Sequence, residues 1–305
     1  MTTRTYGNRQ VELSNLDKVL FPTAGLTKGD LIDYYERVAD VMVPHMKGRP
    51  LSLQRFPDGV DGEGFYQKET PDYFPDWITT ASVPLRGEGG SQSQVICDDK
   101  ATLVYLADQA CITPHVWLSR HDRLDVPDRM IFDLDPPGDD FAAVRDVARR
   151  LRDLLEELGL KSRLMLTGSR GAHVVVSLRR GPDFDEVRSL AQNIAGHLAD
   201  ARPEEITIAQ RKKKRGARLF LDTARNAYGQ TTVAPYAVRA RPEATVAAPL
   251  EWDELGASDL SSSRYTIKNI FRRLSQKEDP WSDIGRGGAS IGGATDKLER
   301  LREEN

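Results

Sequence analysis

Asp133 and Asp135 stand one residue apart at the end of an apolar run, Arg129-Met130-Ile131-Phe132-Asp133-Leu134-Asp135-Pro136. The run reads as a short buried strand. Side chains alternate faces along a strand, so Ile131, Asp133 and Asp135 share one face while Phe132 and Leu134 point into a core. Two carboxylates on one face of a strand end offer oxygen ligands to a hard divalent cation. Pro136-Pro137-Gly138 then stops the strand and turns the chain. The plainer alternative is a solvated edge strand entering a polar turn.

A third acid, Asp222, closes another apolar strand, Leu219-Phe220-Leu221. Two aligned strands would bring Asp133, Asp135 and Asp222 together. Three carboxylates suit two divalent ions about 3.5–4 Å apart, the arrangement of in-line phosphoryl transfer. One ion would activate an attacking 3′-hydroxyl; the other would neutralise a triphosphate and its leaving pyrophosphate. Alone, Asp222 serves equally well as a cap for the turn that follows. Between the acids lies Thr167-Gly168-Ser169-Arg170-Gly171-Ala172-His173. Its small residues let backbone N–H groups face an anion, and Arg170 and His173 are donors to phosphate oxygens. A plain hairpin turn has the same composition. The run Arg211-Lys212-Lys213-Lys214-Arg215 either tracks a nucleic-acid backbone or tips a solvated hairpin. Phe65-Tyr66, after Gly64, either packs in a core or places one ring for base stacking.

The elements that must position these groups follow from periodicity. A first element covers residues 11–22. Thr27 then caps a helix with Leu31, Tyr34, Tyr35, Val38, Val41 and Met42 on its apolar stripe. Residues 50–77, rich in Pro, Gly and aromatics, read as strands and loops, and 86–91 as a flexible turn. Leu103–Ile112 reads as a packed helix. After Asp135 come a helix from Phe141 to Leu158 with Gly159 as its stop, a strand over 162–166, the Gly-rich turn and a strand over 173–178. A helix around Val187–Leu198 and strands at 206–208 and 218–222 complete the series. This order predicts an α+β fold, a sheet with helices on one face. The stretch 284–293 reads as a Gly-rich linker, and the last dozen residues as a short charged tail. The expected division is a domain over 1–282, split near residues 127/128 into an N-terminal α/β subdomain and a catalytic core to about 255, then linker and tail over 283–305.

The bulk properties agree with a soluble protein. The chain has 305 residues, 39% hydrophobic and 29% charged, with a net charge of −3. Nucleic-acid binding would therefore rest on local clusters of Lys and Arg rather than on a polycationic whole. Cys97 and Cys111 lack metal-site spacing, which argues against a zinc site or disulfide framework, and Cys111 reads as a small core residue. No leader-like or membrane-length apolar run is present, so a cytoplasmic, nucleoid-associated protein is expected.

Several strings together resemble the polymerase domain of bacterial ligase D and its stand-alone relatives in the archaeo-eukaryotic primase superfamily. They are residues 13–22, Thr27-Lys28, Phe65-Tyr66-Gln67-Lys68, Pro114-His115-Val116, Phe132-Asp133-Leu134-Asp135-Pro136, Gly168–His173, Phe220-Leu221-Asp222 and Thr231–Arg241. The resemblance runs from about residue 11 to 255. It implies a primase-like core with an RRM-like antiparallel sheet, and a template-dependent nucleotidyltransferase that uses two Mn²⁺ or Mg²⁺ ions and often prefers ribonucleotides. Asp133, Asp135 and Asp222 would be the metal ligands. Thr167, Ser169, Arg170, His173, Arg239 and Gln230 would face the incoming nucleotide, with Thr167 near the ribose 2′-hydroxyl and His115 beside the triphosphate or primer end. Asn15, Lys18 and Lys28 match a pocket for the 5′-phosphate of the downstream strand. Phe65 or Tyr66 would stack at the template, and Arg55, Lys68 and Arg215 would lie along DNA.

The chain departs from the family pattern after the third acid. Thr223-Ala224-Arg225-Asn226 stands where many relatives have Trp and a Ser-Gln-Asn run, Gln230 replaces a common Lys, and Gln54 stands at a frequently basic position. Arg225 is placed to supply part of the missing charge. With no room for a ligase or phosphoesterase module, the chain resembles the stand-alone branch. The implied work is gap filling in excision repair or end joining on 5′-phosphorylated gaps or breaks, beside a separate DNA ligase and an end-binding protein. Two rival readings use the same residues. A haloacid-dehalogenase-type phosphatase also begins with a Phe-Asp-x-Asp strand, but needs a Gly-Thr turn where Pro136-Pro137-Gly138 stands. A non-catalytic binder of DNA ends would not need all three acids.

Overall fold

A computed structural model describes residues 2–87 and 89–303. Its contacts divide the chain into two units, each built from separated segments. Unit 1 comprises Met1–Leu124, Thr231–Ala247 and Tyr265–Asp279; unit 2 comprises Asp125–Gln230, Ala248–Arg264 and Pro280–Asn305.

Unit 1 opens with a hairpin of β1 (Thr2–Tyr6) and β2 (Arg9–Leu13), then β3 (Val19–Phe21) and β4 (Leu26–Thr27). Helix α1 (Lys28–Met46) starts where the sequence says it should. Thr27 Oγ1 accepts the Asp30 N–H and the Asp30 carboxylate accepts the Thr27 N–H, a reciprocal cap. Leu31, Tyr34, Tyr35, Val38 and Met42 are buried along it, and Val41 is half-buried. Then follow β5 (Leu51–Arg55), β6 (Phe65–Gln67), a hairpin of β7 (Thr80–Pro84) and β8 (Ser91–Val95), α2 (Lys100–Asp108) and β9 (Cys111–Trp117). Glu88, within the expected 86–91 turn, lies outside the described residues. The helix expected over Leu103–Ile112 stops at Asp108. Ala110 has φ +54°, which no α-helix accommodates, and Cys111 and Ile112 already belong to β9. Cys111 is a core residue, as its apolar setting implied.

The chain leaves unit 1 through β10 (Ser119–Arg120) and β11 (Arg123–Pro127), and β12 (Arg129–Asp135) begins the main sheet of unit 2. That unit continues with α3 (Phe141–Glu157), β13 (Ser162–Leu166), β14 (Ala172–Ser177), α4 (Phe184–Ala201), β15 (Ile206–Thr207) and β16 (Leu219–Asp222). Strand β17 (Thr231–Val233) returns to unit 1 and completes an antiparallel sheet in the order β17-β9-β5-β6. Strand β18 (Ala248–Leu250) then closes the six-stranded sheet of unit 2, ordered β15-β16-β12-β14-β13-β18. Its neighbours are antiparallel except β15 and β16. Helices α3 and α4 pack on this sheet, with Val144, Ala148, Leu151, Leu155, Val187, Ala191 and Ile194 buried. Short α5 (Ile270–Leu274) belongs to unit 1 and α6 (Ile291–Glu303) to unit 2.

The segment set apart in the sequence as linker and tail packs on unit 2. Ala289 exchanges backbone bonds with Ser177 and Arg179, and a Cβ on Gly288 would meet the Leu178 carbonyl carbon at 2.2 Å. The glycine there serves close backbone approach rather than freedom. Ile291, Ala294 and Leu298 of α6 are buried, and Arg302 Nη2 donates to the Asn193 carbonyl on α4 at 2.8 Å.

Candidate active site

In the main sheet Asp133 pairs across one side of β12 with His173 and across the other with Asp222. Directly opposed residues project on one face, so His173, Asp133 and Asp222 form a row across β14, β12 and β16. Asp135, two residues along β12, shares that face, while Phe132 and Leu134 are fully buried on the opposite one. The three acids are half-buried. Asn226 fixes the strand from behind: its Oδ1 accepts the Ile131 N–H at 2.8 Å and its Nδ2 donates to the Ile131 carbonyl at 2.7 Å.

Each group of the row is already engaged. His173 Nε2 lies 3.5 Å from Asp133 Oδ1. Asp222 Oδ1 accepts the Ala224 N–H at 2.8 Å, so it does cap the turn that follows. Asp135 is held by two guanidinium groups, Arg170 Nη2 at 3.1 Å and Arg215 Nη1 at 3.6 Å. Arg215 is itself fixed. It donates to the carbonyls of Ala209 and Gln210 and lies 3.5 Å over the Phe220 ring centroid, a cation–π contact. Asp135, Arg170, Lys212, Arg215 and Arg218 line an open pocket of about 510 Å³. Lys212–Lys214 form an exposed 3₁₀ turn at its rim.

The Gly-rich turn is a tight return between β13 and β14. Thr167 Oγ1 donates to the Gly171 carbonyl at 3.0 Å and accepts the Ser169 N–H at 3.3 Å. The buried Thr167 hydroxyl therefore shapes the turn. A Cβ on Gly171 would sit 1.8 Å from the Leu134 carbonyl oxygen, so only glycine lets the turn lie against β12. Gln230 and Arg225 are exposed, with Arg225 Nη1 donating to Gln230 Oε1 at 3.4 Å.

The donor set fits hard divalent cations: carboxylate oxygens only, on one face, in fixed register. As the side chains stand, no group of three or more Asp, Glu, His or Cys among the described residues converges on one point. The three acids already share one face through the strand register.

In unit 1, Asn15, Lys18, Lys28 and Arg55 line an open pocket of about 540 Å³ with Ser14, Asp108 and Gln109. Lys28 is buried, and its ammonium meets Asp108 Oδ1 at 2.7 Å, the Asp108 carbonyl at 2.8 Å and Ser14 Oγ at 3.2 Å. These acceptors match its three N–H bonds. Lys18 is exposed and pairs with Asp58 at 2.8 Å. Asn15 has φ +49°, a conformation asparagine tolerates. Phe65 and Tyr66 are 46% and 59% exposed, which removes the core-packing alternative. Tyr66 meets the His115 ring edge-on at 5.4 Å, and His115 Nδ1 lies 3.2 Å from the Thr113 carbonyl, which places a proton on Nδ1. Lys68 is exposed just beyond β6. Arg239 follows a segment pinned by hydroxyls: Thr113 Oγ1 donates to the Val238 carbonyl, and Tyr35 OH accepts the Val238 N–H.

Comparison with known proteins decides the family. The profile of the LigD primase-polymerase domain matches residues 27–281. The chain belongs to the LigD primase-polymerase family. It is 35% identical over 273 residues to the multifunctional non-homologous end joining protein LigD of Mycolicibacterium smegmatis, covering 88% of this chain and 35% of that one. It is 33% identical over 281 residues to the bifunctional LigD of Bacillus subtilis, covering 91% and 44%. The chain thus spans between about a third and under half of the length of these relatives. The polymerase domain of Mycobacterium tuberculosis ligase D, solved in complex with DNA, superposes with a TM-score of 0.85 at 33% identity, over 92% of this chain and 99% of that one. Family membership carries the α+β fold and the class of reaction, DNA-directed nucleotidyl transfer. It leaves the site residues to be argued from their geometry.

The sequence reading missed two members of these sites. Asp108 reads from the sequence as part of an apolar helix, although a lone acid among Leu103–Ala110 is itself a signal of a buried partner. Asn226 keeps the last residue of the family's Ser-Gln-Asn run, but its structural role appears only when its amide meets β12.

Proposed function

We propose that the chain extends the 3′ end of a primer strand, under template direction, at short gaps or broken ends of DNA, with ribonucleotides preferred. The observation that carries the reading is the register that aligns His173, Asp133 and Asp222 across three strands with Asp135 beside them. Asp133, Asp135 and Asp222 are the residues to hold two divalent cations, Mn²⁺ or Mg²⁺. Those ions, when bound, favour deprotonation of the attacking 3′-hydroxyl and neutralise the departing pyrophosphate.

The chain's own groups have defined tasks around that step. Asp135 is balanced by Arg170 and Arg215 before substrate arrives. A triphosphate draws Arg170 toward its oxygens, since guanidinium donates to phosphate as readily as to carboxylate. His173, beside Asp133, donates to the same phosphates. Thr167 and Ser169 fix the turn that presents Arg170, while Gln230 with Arg225 serves the nucleotide from the loop after the third acid. By likeness to the family, His115 and Arg239 of unit 1 are further candidates for contact with the substrate. There Lys18 and Asn15 receive the 5′-phosphate of the downstream strand, Phe65 or Tyr66 stacks at the template, and Arg55 and Lys68 follow its backbone.

The LigD relatives are non-homologous end joining proteins, and the tuberculosis domain was solved with DNA. By likeness, gapped or broken DNA is the substrate here, with ligation of the ends and an end-binding protein as accompanying functions. No helix among the described residues is long and apolar enough to cross a membrane.

The test is extension of a primer across a short gap with a 5′-phosphate, in Mn²⁺, with ribo- or deoxyribonucleotides. Templated addition favouring ribonucleotides is expected. Preference for deoxyribonucleotides would remove the sugar assignment. DNA binding without extension, where a control polymerase works, would overturn the catalytic reading in favour of an end-binding protein.

A further inference from the structure

Tyr73 has no part in the site described so far, yet its ring is 62% exposed. Exposed large apolar side chains among the described residues are few: Val19, Phe65, Tyr66, Tyr73 and Ile208. Three of these are aromatic and belong to unit 1. Arg55 ties Tyr73 to the pocket that Lys18 lines. Its guanidinium donates from Nη1 to Tyr73 OH at 2.9 Å and to Gln67 Oε1 at 2.6 Å, and from Nε to the Gln109 carbonyl at 2.8 Å. The same guanidinium lies 5.6 Å from the Phe65 ring centroid and lines the pocket with Lys18 and Lys28.

The ring stands on a firm base. Its neighbour Phe74 is buried and meets Tyr105 of α2 edge-on at 5.0 Å, and Trp77 also meets Tyr105 edge-on at 5.8 Å. The Phe74 N–H donates to the Pro71 carbonyl, closing the turn that carries Tyr73. A fixed, solvent-facing aromatic one guanidinium away from a cationic pocket is how proteins hold a nucleobase next to its phosphate.

We propose that Tyr73 is a nucleobase-stacking residue for the terminal nucleotide whose 5′-phosphate enters the Lys18 pocket. The inference rests on the reading of that pocket given above. Its ligand class is a 5′-phosphorylated nucleic-acid end, recognised by phosphate charge and base face together. Base stacking tolerates any sequence, so no base preference is required.

The experiment is fluorescence anisotropy of the full chain on recessed-end duplexes. The end carries a 5′-phosphate or a 5′-hydroxyl, and its terminal nucleotide is intact or abasic. Tyr73→Ala should weaken binding to the intact phosphorylated end by about five- to 150-fold. Tyr73→Phe, which keeps the ring and loses only the hydroxyl, should stay within about twofold of wild type. On the abasic end Tyr73→Ala and wild type should bind alike. Unchanged binding by Tyr73→Ala would overturn the proposal, as would equal losses for Ala and Phe, which would make the hydroxyl a support for Arg55 alone. If wild type fails to separate phosphate from hydroxyl, the pocket reading falls. The intact-against-abasic comparison then decides whether Tyr73 stacks at all.

Discussion

The acid row of unit 2 and the cationic pocket of unit 1 both hold charged groups paired with the opposite sign, but in different ways. Asp135 and Arg170, 33% and 46% exposed, pair through a single contact of 3.1 Å, while the more buried Arg215 lies 3.6 Å from the other carboxylate oxygen. Lys28 and Asp108 are buried, at 7% and 5% side-chain exposure, and every ammonium N–H of Lys28 has an acceptor. An exposed pair in water contributes little and re-forms easily with another partner. A buried, saturated pair is fixed, because separating it strands a charge away from water. In the proposed function, the exposed Asp135–Arg170 pair on the acid face is the one to be exchanged for substrate and metal. The Lys28–Asp108 pair is built to stay. If the proposed 5′-phosphate site is right, Lys28 shapes the pocket and the exposed Lys18 beside it is the residue to meet the phosphate.

The largest effect should come from the acid row. Asp133→Ala or Asp222→Ala should lower extension more than about 100-fold, as removal of a group at the reacting atoms does. Melting temperature and DNA affinity should stay near wild type. The measurement is single-turnover extension beside equilibrium binding; retained extension would end the assignment of that face as catalytic.

The comparison sharpens on the two lysines. Lys28→Ala leaves the Asp108 carboxylate buried without its cation, so it should cost about 3–5 kcal/mol of unfolding free energy by denaturant titration. Lys18→Ala breaks an exposed pair and should cost about 1 kcal/mol or less, yet remove the preference for 5′-phosphorylated over 5′-hydroxyl gaps. If Lys28→Ala is as stable as wild type and loses only that preference, the division between fixed and exchangeable pairs fails.

Which parts of this were legible follows from range. The acid strand, the Thr27 cap and the α3 stripe are written in neighbours a few residues apart, and each reads correctly. The Lys28–Asp108 and Arg215–Asp135 pairs join residues 80 apart in the chain, where no spacing rule reaches. Phe65 and Tyr66 have a core composition and an exposed fate, because alternation does not reveal that β6 is an edge strand. The run around Gly288 misleads for a related reason. Glycine marks either freedom or close approach, and only the Leu178 backbone beside it decides which. The roles of the site residues came from the family resemblance; the geometry adds which of them are already held, and by what.

Unit 1 repeats its style of buried pairing at Tyr236, and this gives a medium effect. Tyr236 OH donates to Asp279 Oδ1 at 2.7 Å, and His45 Nε2 meets Asp279 Oδ2 at 2.7 Å. Tyr236→Phe takes a partner from a buried carboxylate and should cost about 1–3 kcal/mol. Burial pushes the phenols of Tyr34, Tyr35 and Tyr236 well above their ordinary 10.0. The folded state thus keeps them neutral while the unfolded chain ionises them. Their contribution is complete below about pH 10 and is lost as pH rises above it. Stability measured from pH 8 to 11 should fall less steeply for Tyr236→Phe than for wild type; parallel slopes would mean that Tyr236 ionises alike in both states.

The smallest effect on stability, and the sharpest on the contrast, belongs to Arg170. Its side chain is 46% exposed, so Arg170→Ala should change unfolding free energy by less than about 1 kcal/mol. Its loss should still raise the KM for the nucleotide, because the same guanidinium is the group to be transferred from Asp135 to phosphate. Salt separates the two kinds of pair in one experiment. Raising ionic strength screens exposed charges and leaves buried ones nearly untouched. Wild-type nucleotide KM should therefore rise with salt and Arg170→Ala should respond less, while the stability gap between wild type and Lys28→Ala should hold constant. A gap that closes with salt would place the Lys28–Asp108 pair among the exchangeable ones, and the pocket of unit 1 would then work as the acid face does.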